Sequence, residues 1–475
     1  MKQAIAALIA LTLAGCAIAG CAIGPDYRRP EVVEPPTYRD QTTPAEAASF
    51  ADLAWWEVFQ DEALRALIGE ALANNYALGI AAARVEAARA QAGIARSEFF
   101  PQIGAEFDAT RGVNSVLGSP APGAPRDNAF LLAASMAWEI DIWGRIRRTN
   151  EAARAELFAT EAFRRGVVLS LTSDVATSYF ELLGLDLELE IARDNVAAFT
   201  KMRDLFERKF TGGVDSKLGM LRAAASLATS AATIPDLERR VVEVENRLSV
   251  LLGRAPGPIP RGGTLLEQSS PPQIPVGVPA QLLERRPDIL EAEQNVVAAN
   301  ALVGVSIAEF LPRIGLTGLA GGVSTDLSDL LQKRSALWSI AGVATTPIFQ
   351  GGAIYYGWEQ AKAQWEQAAL VYDATALEAL REVSDALIAR EKLEAARVQQ
   401  ALAVDALNEA VRISTIRYTD GRANYFEVLN AQQDLFPAET ELARTERDQL
   451  VALVQIYRAL GGGWSQYTAP QPTTP

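Results

Sequence analysis

Two periodicities take turns along this chain, and each turn comes twice. From about Glu62 to Ser97 the residues have helix composition, with Ala81-Ala82-Ala83-Arg84-Val85-Glu86-Ala87-Ala88-Arg89-Ala90 at the centre. Pro101 ends that helix and the period falls to two. Ile103, Ala105, Phe107 and Ala109 point one way; Gln102, Gly104, Glu106, Asp108 and Thr110 point the other. A loop rich in Gly, Pro, Ser and Asn runs from Gly112 to Asn128. Beyond it Phe130, Leu132, Ala134, Met136, Trp138, Ile140 and Ile142 share one face, against Ser135, Glu139 and Asp141. The pattern predicts a hairpin of two strands, each about 10 residues long.

The second half repeats the alternation. Ile314, Leu316, Gly318 and Ala320 oppose Arg313, Gly315 and Thr317. After a polar loop around Ser324 to Ser335, Trp338, Ile340, Gly342, Ala344 and Ile348 line a fourth strand face. A helix of unusual length follows each hairpin, from about Arg145 to Phe210 and from about Ala353 to Tyr418, both without proline. At 1.5 Å per residue the first could reach roughly 95 Å. Spacing of 3-4-3-4 marks seams at Val404, Leu407, Val411, Ser414 and Tyr418, at Leu450, Leu453, Tyr457 and Leu460, and at Val241, Val244, Leu248 and Leu251. Such seams pair helices side by side.

Short motifs recur in step with these elements. Phe99-Phe100-Pro101-Gln102-Ile103-Gly104 returns as Phe310-Leu311-Pro312-Arg313-Ile314-Gly315, 211 positions on. Phe210-Thr211-Gly212-Gly213 returns as Tyr418-Thr419-Asp420-Gly421, 208 positions on, and Leu251-Leu252-Gly253 returns as Ala459-Leu460-Gly461. A period this long is a tandem duplication, in which each half supplies the same parts to one larger object.

Composition narrows what that object does. The net charge of −14 argues against a nucleic-acid partner, which needs a basic face. With no histidine, Ser-His-Asp and Cys-His catalysis and His-ligated metal sites are excluded, and no clustered carboxylate motif suggests an enzyme or a cofactor. Both cysteines lie within the first 21 residues. Residues 1–20 have one lysine and an apolar run, which reads as a signal peptide. Leu13-Ala14-Gly15-Cys16 and Ile18-Ala19-Gly20-Cys21 each resemble a bacterial lipobox. Residues 21–61 hold Pro25, Pro30, Pro35, Pro36 and Pro44 and predict a lipidated, extended tether. Residues 62–262 and 263–463 then form the two repeats, and 464–475 a tail.

The strand faces admit two environments. In a soluble sheet one face rests on a core and the other in water. In a membrane the apolar face meets lipid and the polar face a lumen, over strands of about 9–11 residues. On the second reading four strands per chain are too few, because open sheet edges do not stand in lipid. Two copies give eight strands and three give twelve; arithmetic alone does not choose.

The chain resembles the outer-membrane factors (TolC-like) of Gram-negative tripartite efflux systems, in particular their lipoprotein, NodT-type branch. Carrying the resemblance are Cys21-Ala22-Ile23-Gly24-Pro25-Asp26-Tyr27-Arg28-Arg29-Pro30, which favours Cys21 over Cys16 as the lipidated residue, and Leu283-Glu284-Arg285-Arg286-Pro287-Asp288-Ile289 with Glu291-Ala292-Glu293. Asp141-Ile142-Trp143-Gly144-Arg145, Pro347-Ile348-Phe349-Gln350-Gly351-Gly352 and the ending Leu460-Gly461-Gly462-Gly463-Trp464 also match. The resemblance implies an α+β membrane protein: a homotrimer with a shared 12-strand transmembrane β-barrel, four strands per chain, continuous with a long α-helical barrel. It implies a passive exit duct for small molecules in the outer membrane, with an inner-membrane RND transporter and a periplasmic adaptor as partners.

By the same resemblance the duct closes at its periplasmic end, just after the Gly turn. Phe426, Glu427 and Asn430 match the positions that face the axis, although the family often has Asp where Asn430 stands. A ring of Glu427 would favour cations. The first-half equivalents are Leu218, Gly219 and Arg222, and Arg222 is the candidate to reach Glu427 or Asn430 and hold the end shut. Two other readings stand beside this one. A channel for type I protein secretion is disfavoured by the lipobox. A periplasmic coiled-coil scaffold or adaptor would leave two hairpins between long helices unexplained.

Overall fold

The computed structural model describes residues 22–31, 35, 37–39, 49–53, 55–58, 60–112, 127–214, 216–268 and 279–462. Cys16 and Cys21 lie outside them. Helices α1 (Glu62–Asn74) and α2 (Tyr76–Ser97) precede strands β1 (Gln102–Gly112) and β2 (Asp127–Ile140). Helices α3 (Arg145–Thr211), α4 (Lys217–Ala231) and α5 (Thr233–Leu251) complete the first half. The second half contains α6 (Pro287–Ala308), β3 (Arg313–Ser324), β4 (Ala336–Thr345), α7 (Ala353–Thr419) and α8 (Tyr425–Ala459).

The duplication holds to the residue. Helices α2 and α6 are each 22 residues long, and α3 and α7 are each 67. Helices α4 and α5 together span the positions that α8 covers in 35 residues with Pro437 inside it. Glycines with positive φ recur 208 positions apart, as Gly144 and Gly352, Gly213 and Gly421, Gly253 and Gly461. The predicted helix 62–97 is split, however, into α1 and α2 at Asn75. The Asn75 carboxamide oxygen accepts from the Ala77 and Leu78 amides at 2.8 and 3.2 Å, and its nitrogen donates to the Leu251 carbonyl at 2.8 Å. A side chain that caps a new helix start competes with the continuing helix.

All four strands form one antiparallel sheet in the order β1-β2-β3-β4. Phe107 lies opposite Leu132, Leu132 opposite Gly322, Leu316 opposite Gly342, and Ala320 opposite Trp338. Directly opposed residues share a face. The strand residues expected to be apolar-facing therefore fall on one side of one sheet, from Ile103 to Ala344. On that side Ile103, Trp338 and Ile340 are 77%, 77% and 75% exposed in the single chain. Two extrapolations fail at the strand ends. Strand β2 stops at Ile140, because Asp141 accepts from the Ile146 and Arg147 amides, both at 3.0 Å, and starts α3. Strand β4 stops at Thr345, short of Pro347 and Ile348, and proline cannot donate to a ladder.

The chain divides into two compact units. The unit drawn from Met1–Glu31, Arg84–Glu161 and Glu291–Asp373 holds the sheet. There the indoles of Trp138 and Trp143 donate to the carbonyls of Phe99 and Pro312, at 3.0 and 2.8 Å, fastening β2 and its exit to both Phe-Pro segments. The unit drawn from Val32–Ala83, Ala162–Leu290 and Ala374–Pro475 has a large apolar core, in which Tyr179, Leu182, Leu248 and Tyr457 are fully buried. Each expected helix seam turns inward. Ser414, Val244, Leu248, Leu450 and Leu453 are buried, and Val404, Leu407 and Val411 are half-buried. Buried Arg286 binds Asp288 twice, at 3.0 and 2.6 Å, Glu382 at 2.7 Å and the Ala459 carbonyl at 3.0 Å, which explains its place in the mid-chain motif.

Candidate gate at the glycine turns

Helices α3 and α7 end in the same way. At Gly213 the chain takes φ +71 and the Val214 amide reaches back to the Lys209 carbonyl at 2.9 Å. At Gly421 it takes φ +72 and Arg422 reaches Arg417 at 2.8 Å. This is the Schellman closure, and glycine is needed because a Cβ is strained at such φ. Ser216 then caps α4 through the Gly219 amide, and Asn424 caps α8 through the Phe426 amide at 3.3 and 3.2 Å.

A small aromatic core joins the two turns. Phe199, Met202, Phe206, Ala223, Tyr425, Val428 and Leu429 are buried together. The Phe206 ring lies 3.9 Å from that of Tyr425 and 6.2 Å from that of Tyr418. Lys209 donates to the Tyr418 hydroxyl at 2.6 Å. Burial, helped by the neighbouring Tyr418, pushes the Tyr425 phenol up to about 12, so it stays neutral at physiological pH.

Burying Tyr425, Val428 and Leu429 forces the opposite face of α8 outward, and that face carries Phe426, Glu427 and Asn430, all exposed. Phe426 is 48% exposed. The Arg222 guanidinium lies 5.4 Å from the centroid of that ring, a cation–π distance. Within the chain the partner of Glu427 is Arg417, at 3.2 Å, and not Arg222. The sequence reading missed Arg417. It stands one turn before Gly421, and only the closure of the turn brings it back over α8. With both members about half exposed, this pair is worth roughly 0.2–1 kcal/mol, so the aromatic core sets the conformation.

A second set of contacts was also missed. The segment after Cys21 is strapped down. The Ile23 amide donates to the Trp143 carbonyl at 2.9 Å, and Arg148 holds Asp26 at 2.8 Å. Arg29 grips Glu293 through two bonds of 2.8 and 2.6 Å, with the Tyr27 hydroxyl on the same carboxylate at 2.9 Å. Glu293 belongs to the mid-chain motif, but nothing in the sequence distinguishes it from Glu291 two positions earlier. Burial raises the Glu293 carboxyl, but the Arg29 and Tyr27 hydrogen bonds outweigh it and leave the group below its usual range.

Comparison with known proteins bears on the chain as a whole. The family model described as outer membrane efflux protein matches residues 67–254 and again residues 278–462, once in each half. This chain belongs to the outer membrane efflux protein family. Within that family it is 34% identical over 465 residues to the solvent efflux pump outer membrane protein SrpC of Pseudomonas putida, covering 96% of this chain and 97% of that one. It is 30% identical over 455 residues to the probable outer membrane lipoprotein SilC of Salmonella typhimurium, covering 95% and 96%. The open-state crystal structure of the Neisseria gonorrhoeae MtrE outer membrane channel superposes with a TM-score of 0.84 at 29% identity, covering 94% and 99%.

Proposed function

We propose that this protein is the outer-membrane channel of a tripartite efflux pump, a passive exit duct for small molecules. One observation carries the reading furthest. Four strands pair so that one continuous face is apolar and exposed while both outer edges, β1 and β4, stay unpaired among the described residues. A lipid-facing sheet must close, and closure requires further copies of the chain. Three copies make twelve strands, in the range of known membrane barrels. The relatives named as outer-membrane efflux components, and the channel whose fold it shares, support the same role. An energised transporter in the inner membrane and a periplasmic adaptor would be its partners, a reading supported by relatives named as outer-membrane components of efflux pumps.

In this reading Phe426 blocks the idle channel by bulk and by excluding water, and Glu427 sets the charge of the constriction. Arg222 braces the Phe426 ring, while Arg417 offsets part of the repulsion among converging Glu427 carboxylates. Cys21 would carry the lipid. Ala22, its neighbour, lies where β2 gives way to α3, since a Cβ on Gly144 would come within 2.6 Å of the Ala22 Cα. The deciding experiment is conductance of the purified protein in a planar bilayer. Discrete channels of uniform size support the duct; a protein that binds membranes without conducting rejects it.

A further inference from the structure

The strands meet their helices at Gln102, Ile140, Arg313 and Thr345, so the hairpin connections lie at the opposite rim of the sheet. The β3–β4 connection, residues 325–335, is held in shape by its own bonds. The Asp326 amide donates to the Ser324 hydroxyl at 3.2 Å, the Gln332 amide to the Asp329 carbonyl at 2.9 Å, and the Ser335 amide to the Gln332 carbonyl at 3.0 Å. The Asp329 carboxylate accepts from the Gln332 carboxamide at 2.8 Å and pairs with Arg334. Leu330 is buried, yet Leu327 and Leu331 are 58% and 85% exposed.

Gly322 decides on which side of the sheet this loop lies. It stands opposite Leu132 on β2 and Ala336 on β4, so both of its in-plane flanks are occupied. A Cβ on Gly322 would run into the Leu330 carbonyl, so the loop lies over the face to which that Cβ would point. Opposed residues share a face, and the face Gly322 shares with Leu132 is the apolar one. Gly322, Ser324 and Ser335 are all buried, as a covered strand end requires. The loop is therefore folded outward, to the side that carries Trp338 and Ile340, and leaves the mouth of the duct uncovered. Resting on the barrel reading above, we infer that the β3–β4 loop docks into the outer leaflet of the membrane. Leu327 and Leu331 enter the acyl chains, and Lys333 reaches the depth of the lipid phosphates. The loop continues a sheet face that already meets lipid, and its charges suit that place. Asp329 is neutralised within the loop, whereas Lys333 is exposed and makes no ion pair among the described residues. Asp326, the other acid, is exposed and stays on the water side of the rim.

Nitroxide labels on introduced cysteines test the placement, in the full chain reconstituted into phosphatidylethanolamine–phosphatidylglycerol vesicles. Ile340→Cys on the apolar face and Ser339→Cys on the lumen face, in the row of Leu319 and Ser135, are the controls. The ratio of oxygen to nickel-chelate accessibility at Leu331→Cys should match that at Ile340→Cys within about twofold and exceed that at Ser339→Cys at least about fivefold. A Leu331→Cys label as open to nickel as the lumen control, or shielded by protein from both reagents, overturns the inference and leaves the duct reading intact. Controls that do not differ from each other sink the barrel reading itself. Gly322→Ala should lift the loop and lower the Leu331→Cys ratio at least about threefold, with the Ile340→Cys ratio unchanged. If both ratios hold, the loop is not seated over Gly322 and the outward fold is wrong. If both fall, the variant has lost its sheet, and Leu327→Asp, placed outside the strands, gives the same reading instead.

Discussion

At the scale of single residues, the candidate gate shows how one helix face fixes its opposite. Tyr425, Val428 and Leu429 are buried, so Phe426, Glu427 and Asn430 must project. In the sequence that face was legible only through the resemblance to the family motif; the buried residues on the opposite side of α8 are what the structure adds. The ion pair was not legible, because Arg417 precedes the turn and meets Glu427 only after the chain reverses at Gly421. Phe426→Ala is expected to raise single-channel conductance, since the ring is the bulkiest exposed group on that face. Glu427→Gln should leave conductance similar and reduce cation preference, read from reversal potentials in a salt gradient. Should Leu218 or Arg222 substitutions alter conductance or selectivity while neither of these does, the constriction belongs to α4 instead.

At the scale of elements, the two helix turns and the N-terminal strap are the parts most exposed to single changes. Gly421→Val forces a β-branched residue to φ +72, a strain of about 1–3 kcal/mol. Faster proteolysis at residues 418–424, with the sheet still protected, is the expected result. The strap depends on pH through Glu293. Its carboxyl is held below the usual range, so its contribution is complete above that range and is lost as pH falls through the lowered folded value. Protease sensitivity of residues 22–31 should therefore rise in acid, and Glu293→Gln should show the same sensitivity at neutral pH. An acid response that survives in Glu293→Gln would assign the effect to another carboxylate.

At the scale of the whole molecule, the exposed apolar sheet face and the two open edges leave a single chain incomplete. The expected outcome is a detergent-solubilised trimer with no stable folded monomer, measured by light scattering. Cys21→Ser should lose the acyl chains by mass spectrometry of the N-terminal peptide. The barrel should still insert, because twelve strands bury far more apolar surface than acyl chains do. Lipid found on Cys16 instead would move the mature start of the chain.

The sequence alone determined the duplication, the four strand faces, the long helices and the glycine turns. Each of these rests on local chemistry: side-chain period, the φ that only glycine tolerates, and the donor that proline lacks. It could not determine that Asn75 would split a helix, since the cap is completed by Leu251, 176 positions away. Nor could it show that Glu293 would hold Arg29 and Tyr27 across more than 260 positions, or that Arg417 would cross a turn to Glu427. Those contacts depend on which surfaces packing brings together, and a pattern of neighbours along the chain carries no information about distance in space.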